Sequence, residues 1–259
     1  MPTPAPLQLL YQDEHLIAVD KPPGLAVHRS RLVGSDADYL IDRLRAQVGG
    51  ELYLAHRLDR ATSGVLLVAR SQPVAAELGR QLMARSLAKH YLAVVRGWPA
   101  EQGTIDYPLT GASLRGEPRP ALTRWRRLAT AELPIAMGRY PQQRYALLEV
   151  EPLTGRYRQI RRHFHHVSHH ILGDTSHGRG DHNRLVRIHL GLQRLFLHAW
   201  RVCLQHPRSG GELRLQAPLD AQWQRLLDAF GWHAALAPDP AAATGPGGDA
   251  LCGRTVSVE

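Results

Sequence analysis

Lysine is nearly absent from this 259-residue sequence: of its 32 basic residues only Lys21 and Lys89 are lysine, and the rest are arginine. Cysteine is as scarce, with Cys203 in a strand-like run and Cys252 in a polar tail. Two cysteines so placed form neither a disulfide framework nor a zinc-finger spacing. No apolar run is long enough to cross a bilayer, and no signal-peptide pattern opens the chain. The expectation is a soluble, cytoplasmic, monomeric protein with no membrane partner. Internal repeats are missing, and so is the strand–helix alternation of a doubly wound parallel sheet.

What is present is positive charge. The formal net charge is +9. A cationic surface suits a polyanion such as nucleic acid. Arginine makes forked contacts to phosphate and stacks on bases, which lysine does not.

Leu7 to Tyr11 and His15 to Val19 pattern as strands around an Asp13-Glu14 turn. Lys21-Pro22-Pro23-Gly24 forces a rigid turn, because proline fixes φ and glycine accepts positive φ. Ser35 is a candidate helix N-cap ahead of Tyr39, Leu40, Leu44 and Val48, which suit one helical face. Ser71 is another, with Pro73 in the first turn and Val74, Leu78, Leu82 and Met83 at helical spacing. Lys89 to Gly97 is a strand, and 122–137 with 144–152 form an antiparallel ribbon about Gly138-Arg139-Tyr140-Pro141. Helical spacing returns at 156–167, strands at 195–204 and 212–216, and a last helix follows Asp220. The expected organisation is a loose start at 1–6, one domain at 7–233, and a disordered tail at 234–259 that lacks apolar content. Strands outnumber helices, so the fold class is α+β.

The chemistry concentrates in His56-Arg57-Leu58-Asp59-Arg60-Ala61-Thr62-Ser63-Gly64, ahead of the apolar run Val65 to Ala69. A carboxylate between two arginines sits on a loop feeding a central strand, and flanking cations favour its ionised form. Three distant segments belong with it: Lys89-x-Tyr91-x-Ala93-x-Val95-x-Gly97, Thr154-Gly155-Arg156-x-x-Gln159-Ile160-Arg161-x-His163, and Ile171-Leu172-Gly173-Asp174. Together with the Lys-Pro-Pro-Gly turn and Arg194-Leu195-x-Leu197-His198-Ala199, these closely resemble the RluA family of pseudouridine synthases. The match covers residues 7 to about 230 in order and spacing. Within that family the likeness is strongest to members that modify transfer RNA. It is carried by Val27-His28-Arg29-Ser30, Gly138-Arg139-Tyr140-Pro141, Gly173-Asp174-x-x-His177-Gly178 and Phe230-Gly231-Trp232. One departure is Arg158, where the family usually has histidine before the glutamine.

The resemblance implies a mixed, mostly antiparallel sheet with helices packed around it and a central RNA-binding cleft. It implies isomerisation of a uridine in tRNA, at uridine 65 of the T-stem, by base flipping. RNA of the large ribosomal particle is the alternative substrate. An isomerisation requires no cofactor and no metal. Asp59 is then the catalytic carboxylate, attacking the sugar covalently or assisting glycal formation. Arg161 pairs with Asp59, and Tyr91 lies against the uracil and relays the C5 proton. Arg57 fills the stack vacated by the flipped base. Arg156, Arg158 and Arg162 contact phosphates.

Two other classes compete. His163, His165, His166, His169 and His170, with Asp174 and His177 beyond, suggest a zinc hydrolase; yet no His-Glu-x-x-His pattern supplies a base between paired ligands. A non-catalytic RNA-binding protein would use the basic face alone, and the intact Asp59, Tyr91 and Arg161 set argues against it.

Overall fold

Branched and aromatic side chains at period two make the strands, and pairing assembles them into one mixed sheet. The computed structural model describes residues 5–28, 38–113 and 116–237. The chain opens with β1 (Leu9–Gln12) and β2 (Leu16–Lys21), then α1 (Leu40–Val48), β3 (Tyr53–Leu54) and β4 (Ser63–Ala69). Next come α2 (Gln72–Ala84), β5 (Ala88–Arg96), β6 (Gln102–Asp106), and the long ribbon of β7 (Leu122–Leu133) and β8 (Gln143–Pro152). The last part holds α3 (Gln159–His166), α4 (Gly180–Leu190), β9 (Leu197–Gln205), β10 (Glu212–Gln216), α5 (Ala221–Phe230) and a 3-10 turn at His233–Leu236. Among the described residues the sheet order is β1-β2-β4-β9-β5-β8-β7-β6, with β3 on β4 and β10 on β9. Among the described strands the pairings are antiparallel except β4 with β9.

Alternation along the central strands divides the apolar core between two faces. Leu66 and Val68 of β4, Ala93 and Val95 of β5, Leu148 of β8, and Leu197 and Ala199 of β9 cluster with Leu40 and Leu44 of α1 and Ile160 and Phe164 of α3. The neighbouring positions face the other way. Val65 and Leu67 meet Val74 and Leu78 of α2. Leu92 and Leu147 meet Leu185 of α4 and Trp223 and Leu227 of α5. So α1 and α3 share one side of the sheet, and that side carries the candidate site.

Several boundaries differ from expectation. α4 has no counterpart in the sequence reading: dense Arg and His mask its buried His182, Leu185 and Val186 stripe. α3 starts at Gln159, not 156, because Arg158 is left-handed at φ 50 and cannot continue a helix backwards. β7 stops at Leu133, where Pro134 ends the ladder. Ser71 does sit at the N-cap of α2, but its side chain makes no capping bond. The expected cap at Ser35, the Arg29-Ser30 part of the first motif, and most of the 234–259 tail lie outside the described residues. Among the described residues no helix is long and apolar enough to cross a membrane.

Candidate active site

The Asp59 loop is held at both flanks. On one side His56 Nε2 accepts the N–H of Leu67 at 3.0 Å, which ties the loop to β4. Loss of water around the ring and the nearby Lys89 ammonium push this imidazole down to about 3, so it stays a neutral acceptor. On the other side the loop docks on the Lys-Pro-Pro-Gly turn. Gly24 N–H donates to the Arg60 carbonyl at 2.8 Å, and Arg60 Nε donates back to the Gly24 carbonyl at 2.8 Å. The fully buried Lys21 ammonium closes the joint, donating to the carbonyls of Pro22 and Leu25 at 2.7 Å and of Arg60 at 3.1 Å. Burial first, then the charge of Arg194, draws Lys21 down to about 7. A turn from the Asp59 carbonyl to Thr62 N–H, 3.1 Å, lifts Asp59 between these anchors.

Gly64 then allows the close approach that makes β4 and β9 parallel neighbours. Its φ is +106°, and a Cβ there would lie 2.2 Å from the Ala199 carbonyl oxygen. Beside it Ser63 Oγ and His198 Nδ1 share a hydrogen bond of 2.8 Å, and Arg194 bridges Ser63 and Asp220. A cavity of about 450 Å³ adjoins the joint, lined by Pro23, Gly24, Ala26, Asp38, Arg43 and Arg60 among others.

Arg161 Nη1 donates to Asp59 Oδ2 at 2.8 Å across 102 residues of sequence. Its Nε and Nη2 form a fork on Asp174, at 2.7 and 2.8 Å. Asp174 in turn accepts the N–H groups of Ser176 and His177, each at 2.9 Å. Burial works against the Asp174 charge, but the Arg161 fork outweighs it and holds the carboxyl below its ordinary value. The Arg161 side chain is 5% exposed, that of Asp174 1%, and that of Asp59 25%. Of the two carboxylates, only Asp59 is open to a ligand.

Tyr91 lies on β5 with Leu58 and Ile160 in the same apolar cluster. Burial, then the charge of Asp59, raises its hydroxyl well above the ordinary phenol range. This is the opposite of tuning it as a base. Arg57 is exposed two residues before Asp59. Arg156 donates through Nε to the Pro120 carbonyl at 3.1 Å, and Arg158 lies over the Tyr157 ring at 5.0 Å. Arg162, expected on a phosphate, uses Nη1 and Nη2 on the carbonyl and hydroxyl of Thr110, at 2.7 and 2.9 Å. It ties the 107–113 loop to α3, as do the 3.7 Å stack of Tyr107 on His166 and the contact of His163 Nε2 with the Tyr107 carbonyl.

The histidines turn to main-chain carbonyls. His165 and His170 both direct Nδ1 at the His177 carbonyl, at 3.0 and 2.9 Å, and His169 directs its own at that of Arg96, at 2.9 Å. Among the described residues no three His, Cys, Asp or Glu side chains converge as a metal set.

A family model for RNA pseudouridylate synthases matches residues 15–166. The chain belongs to the RNA pseudouridylate synthase family. The chain is 47% identical over 239 residues to a tRNA pseudouridine synthase C from Pectobacterium carotovorum subsp. carotovorum, covering 89% of this chain and 64% of that protein. To the tRNA pseudouridine synthase C of Vibrio cholerae it is 44% identical over 239 residues, covering 89% and 98%. It therefore spans less than two thirds of the first relative and nearly all of the second. Two solved synthase folds are similar, each with a TM-score of 0.64. Human RNA Pseudouridylate Synthase Domain Containing 1 has 25% identity, with 85% and 86% of the two chains covered. Human RNA Pseudouridylate Synthase Domain Containing 4 has 26% identity, with 85% and 91% covered.

Four residues of this site had no part in the Asp59 centre assigned from sequence: Lys21, Arg60, Asp174 and Gln159. Gln159 accepts from Thr154 Oγ1 and Arg156 N–H, at 2.7 and 3.0 Å, and donates to the Leu122 carbonyl and Thr123 Oγ1, both at 2.9 Å. It thereby sets the start of α3, two residues before Arg161. The signals available for Lys21 were the scarcity of lysine and its place in the Lys-Pro-Pro-Gly turn.

Proposed function

We propose that the protein isomerises uridine to pseudouridine in tRNA, with uridine 65 of the T-stem as the target. The observation that carries this reading is the Asp59–Arg161–Asp174 chain, which leaves one carboxylate accessible and aimed while the other is locked away. The tRNA assignment rests on the names of the similar bacterial proteins.

In this reading the target uridine leaves the RNA stack, and Arg57 takes the vacated space. Asp59 acts at the sugar–base junction, as nucleophile at the ribose carbon or as base at a ribose proton. The bond from N1 to the sugar breaks, the uracil turns, and a bond from C5 to the same sugar carbon forms. C5 loses a proton and N1 gains one, so atoms balance without a co-reactant. Tyr91 presents its ring to the uracil. As a neutral phenol it takes the C5 proton only while giving up its own, so the transfer runs through it as a relay or through water. Arg156 and Arg158 meet the phosphates near α3, while Arg162 supports the loop beside them.

The test is Asp59→Asn, scored by uridine conversion in tRNA transcripts. Loss of conversion by a factor of at least about 10³ with RNA binding retained is the expected result; conversion at the wild-type rate would falsify the mechanism. Pseudouridine mapping of RNA from cells lacking the gene tests the substrate. Loss at a ribosomal site with tRNA unchanged replaces the tRNA reading by the ribosomal one.

A further inference from the structure

The Gly138-Arg139-Tyr140-Pro141 motif takes no part in the Asp59 centre. It forms the tip of the β7–β8 hairpin, closed by paired hydrogen bonds between Met137 and Tyr140 of 2.9 and 3.2 Å. Tyr140 is 47% exposed there, and Trp98, on the turn after β5, is 40% exposed. Large exposed rings scattered singly need no explanation, but these two share one corner. Gly97 N–H donates to the Arg144 carbonyl at 2.7 Å, and Trp98 Nε1 to that of Ala131 at 3.4 Å, so the indole is fixed to the ribbon. Each ring carries a guanidinium: Arg144 lies 4.5 Å from the Trp98 centroid and Arg139 5.0 Å from that of Tyr140. Arg139, by hydrogen bond and charge, and Arg96 more remotely, hold the Tyr140 hydroxyl below its ordinary value.

Arg144, with the Trp98 ring against it, faces the active-site side. Arg144 shares the face of β8 with Ala146, Leu148 and Val150, which lie in the cluster under α1 and α3. Val150 pairs with Tyr91, and Arg144 is six residues along the same strand, roughly 20 Å away. Next to Gly97 lies His169, whose Nδ1 meets the Arg96 carbonyl, in the turn that also carries His165, His170 and His177. A surface of imidazoles and guanidiniums thus links Arg161 to Trp98.

We propose that Trp98, Arg144 and the Arg139–Tyr140 tip form a second RNA contact that stacks an unpaired nucleotide of the same RNA whose target uridine enters the Asp59 centre. Exposed rings offer a π-face to any base, and planar guanidiniums add stacking and forked phosphate contacts. Among the described residues Arg144 pairs with one carboxylate, Glu132, at 2.9 Å, so the corner keeps a net positive charge suited to a backbone. The proposal rests on the reading of the protein as an RNA-modifying enzyme.

The experiment compares wild type with Trp98→Ala/Tyr140→Ala on whole tRNA transcripts and on a stem–loop carrying the target arm alone. On whole tRNA the KM rises about fivefold or more, as expected for lost base stacking, while kcat at saturating RNA holds. On the isolated arm the two KM values coincide. Trp98→Phe/Tyr140→Phe restores the wild-type KM, which excludes a folding defect, and Met83→Ala, exposed on α2, is the neutral control. An unchanged KM on whole tRNA, or an equal rise on both substrates, overturns the proposal. If wild type converts neither substrate, the functional reading fails separately. Filter retention of whole tRNA then judges the contact by itself, and equal Kd for variant and wild type overturns it.

Discussion

Arg161 makes three hydrogen bonds to two carboxylates, and two of the three go to Asp174. Asp174 is therefore what aims Arg161 at Asp59. Replacing it with asparagine leaves a buried guanidinium with a weakened partner, and breaking a buried pair is expensive. Asp174→Asn is expected to lower stability by about 3 kcal/mol in urea unfolding and kcat by about 10²-fold through misplacement of the catalytic pair. Its folded-state pKa is depressed, so its stabilisation is present above the unfolded value of 3.8 and is lost as pH falls below it. The wild type should lose this increment on acidification below about pH 4, and the variant should show a flatter acid limb. Equal acid limbs in the two proteins would remove Asp174 from this account.

At the scale of elements, the site depends on where β4 begins. The expected strand was Val65 to Ala69; the observed one starts at Ser63 because Ser63 and Gly64 pair in parallel with His198 and Ala199. That contact fixes the far end of the Asp59 loop. Gly64→Ala places a methyl carbon 2.2 Å from the Ala199 oxygen at a φ that disfavours side chains. A destabilisation of about 3 kcal/mol or more is expected, with the loop and activity lost together. Wild-type thermal stability in this variant would show that the junction yields easily. Sequence reasoning reached the elements with a strong period, such as β5 and α2. It missed α4, whose apolar stripe is short and interrupted by Arg184 and Arg187.

For the molecule as a whole, the arginine-rich composition and +9 charge determine how it meets a polyanion. Affinity for tRNA should weaken by at least about tenfold between 50 and 200 mM salt, because each neutralised phosphate releases counterions. A salt-independent Kd would mean that guanidinium–phosphate contacts contribute little. Charge alone does not say which arginines do this. Arg57 is exposed, Arg162 holds a loop, Arg161 is buried against two carboxylates, and Arg194 sits behind β4. All four look alike in a composition.

Local order was sufficient to indicate the family. His56 to Gly64, the Lys-Pro-Pro-Gly turn and Thr154 to His163 each encode a turn or helix start through residues adjacent in the chain. The strands announce themselves by alternation. Only the tertiary structure decided the partnerships, because hydrogen bonds between Arg161 and Asp59, Lys21 and Arg60, or Gln159 and Leu122 join segments with no shared period. It also set the acidity of Tyr91: buried on β5 beside Asp59, the phenol becomes a weaker acid than a free tyrosine. Burial and proximity are properties of the folded chain, and they set both the direction of that shift and the choice of Asp59 over Asp174 as the accessible carboxylate.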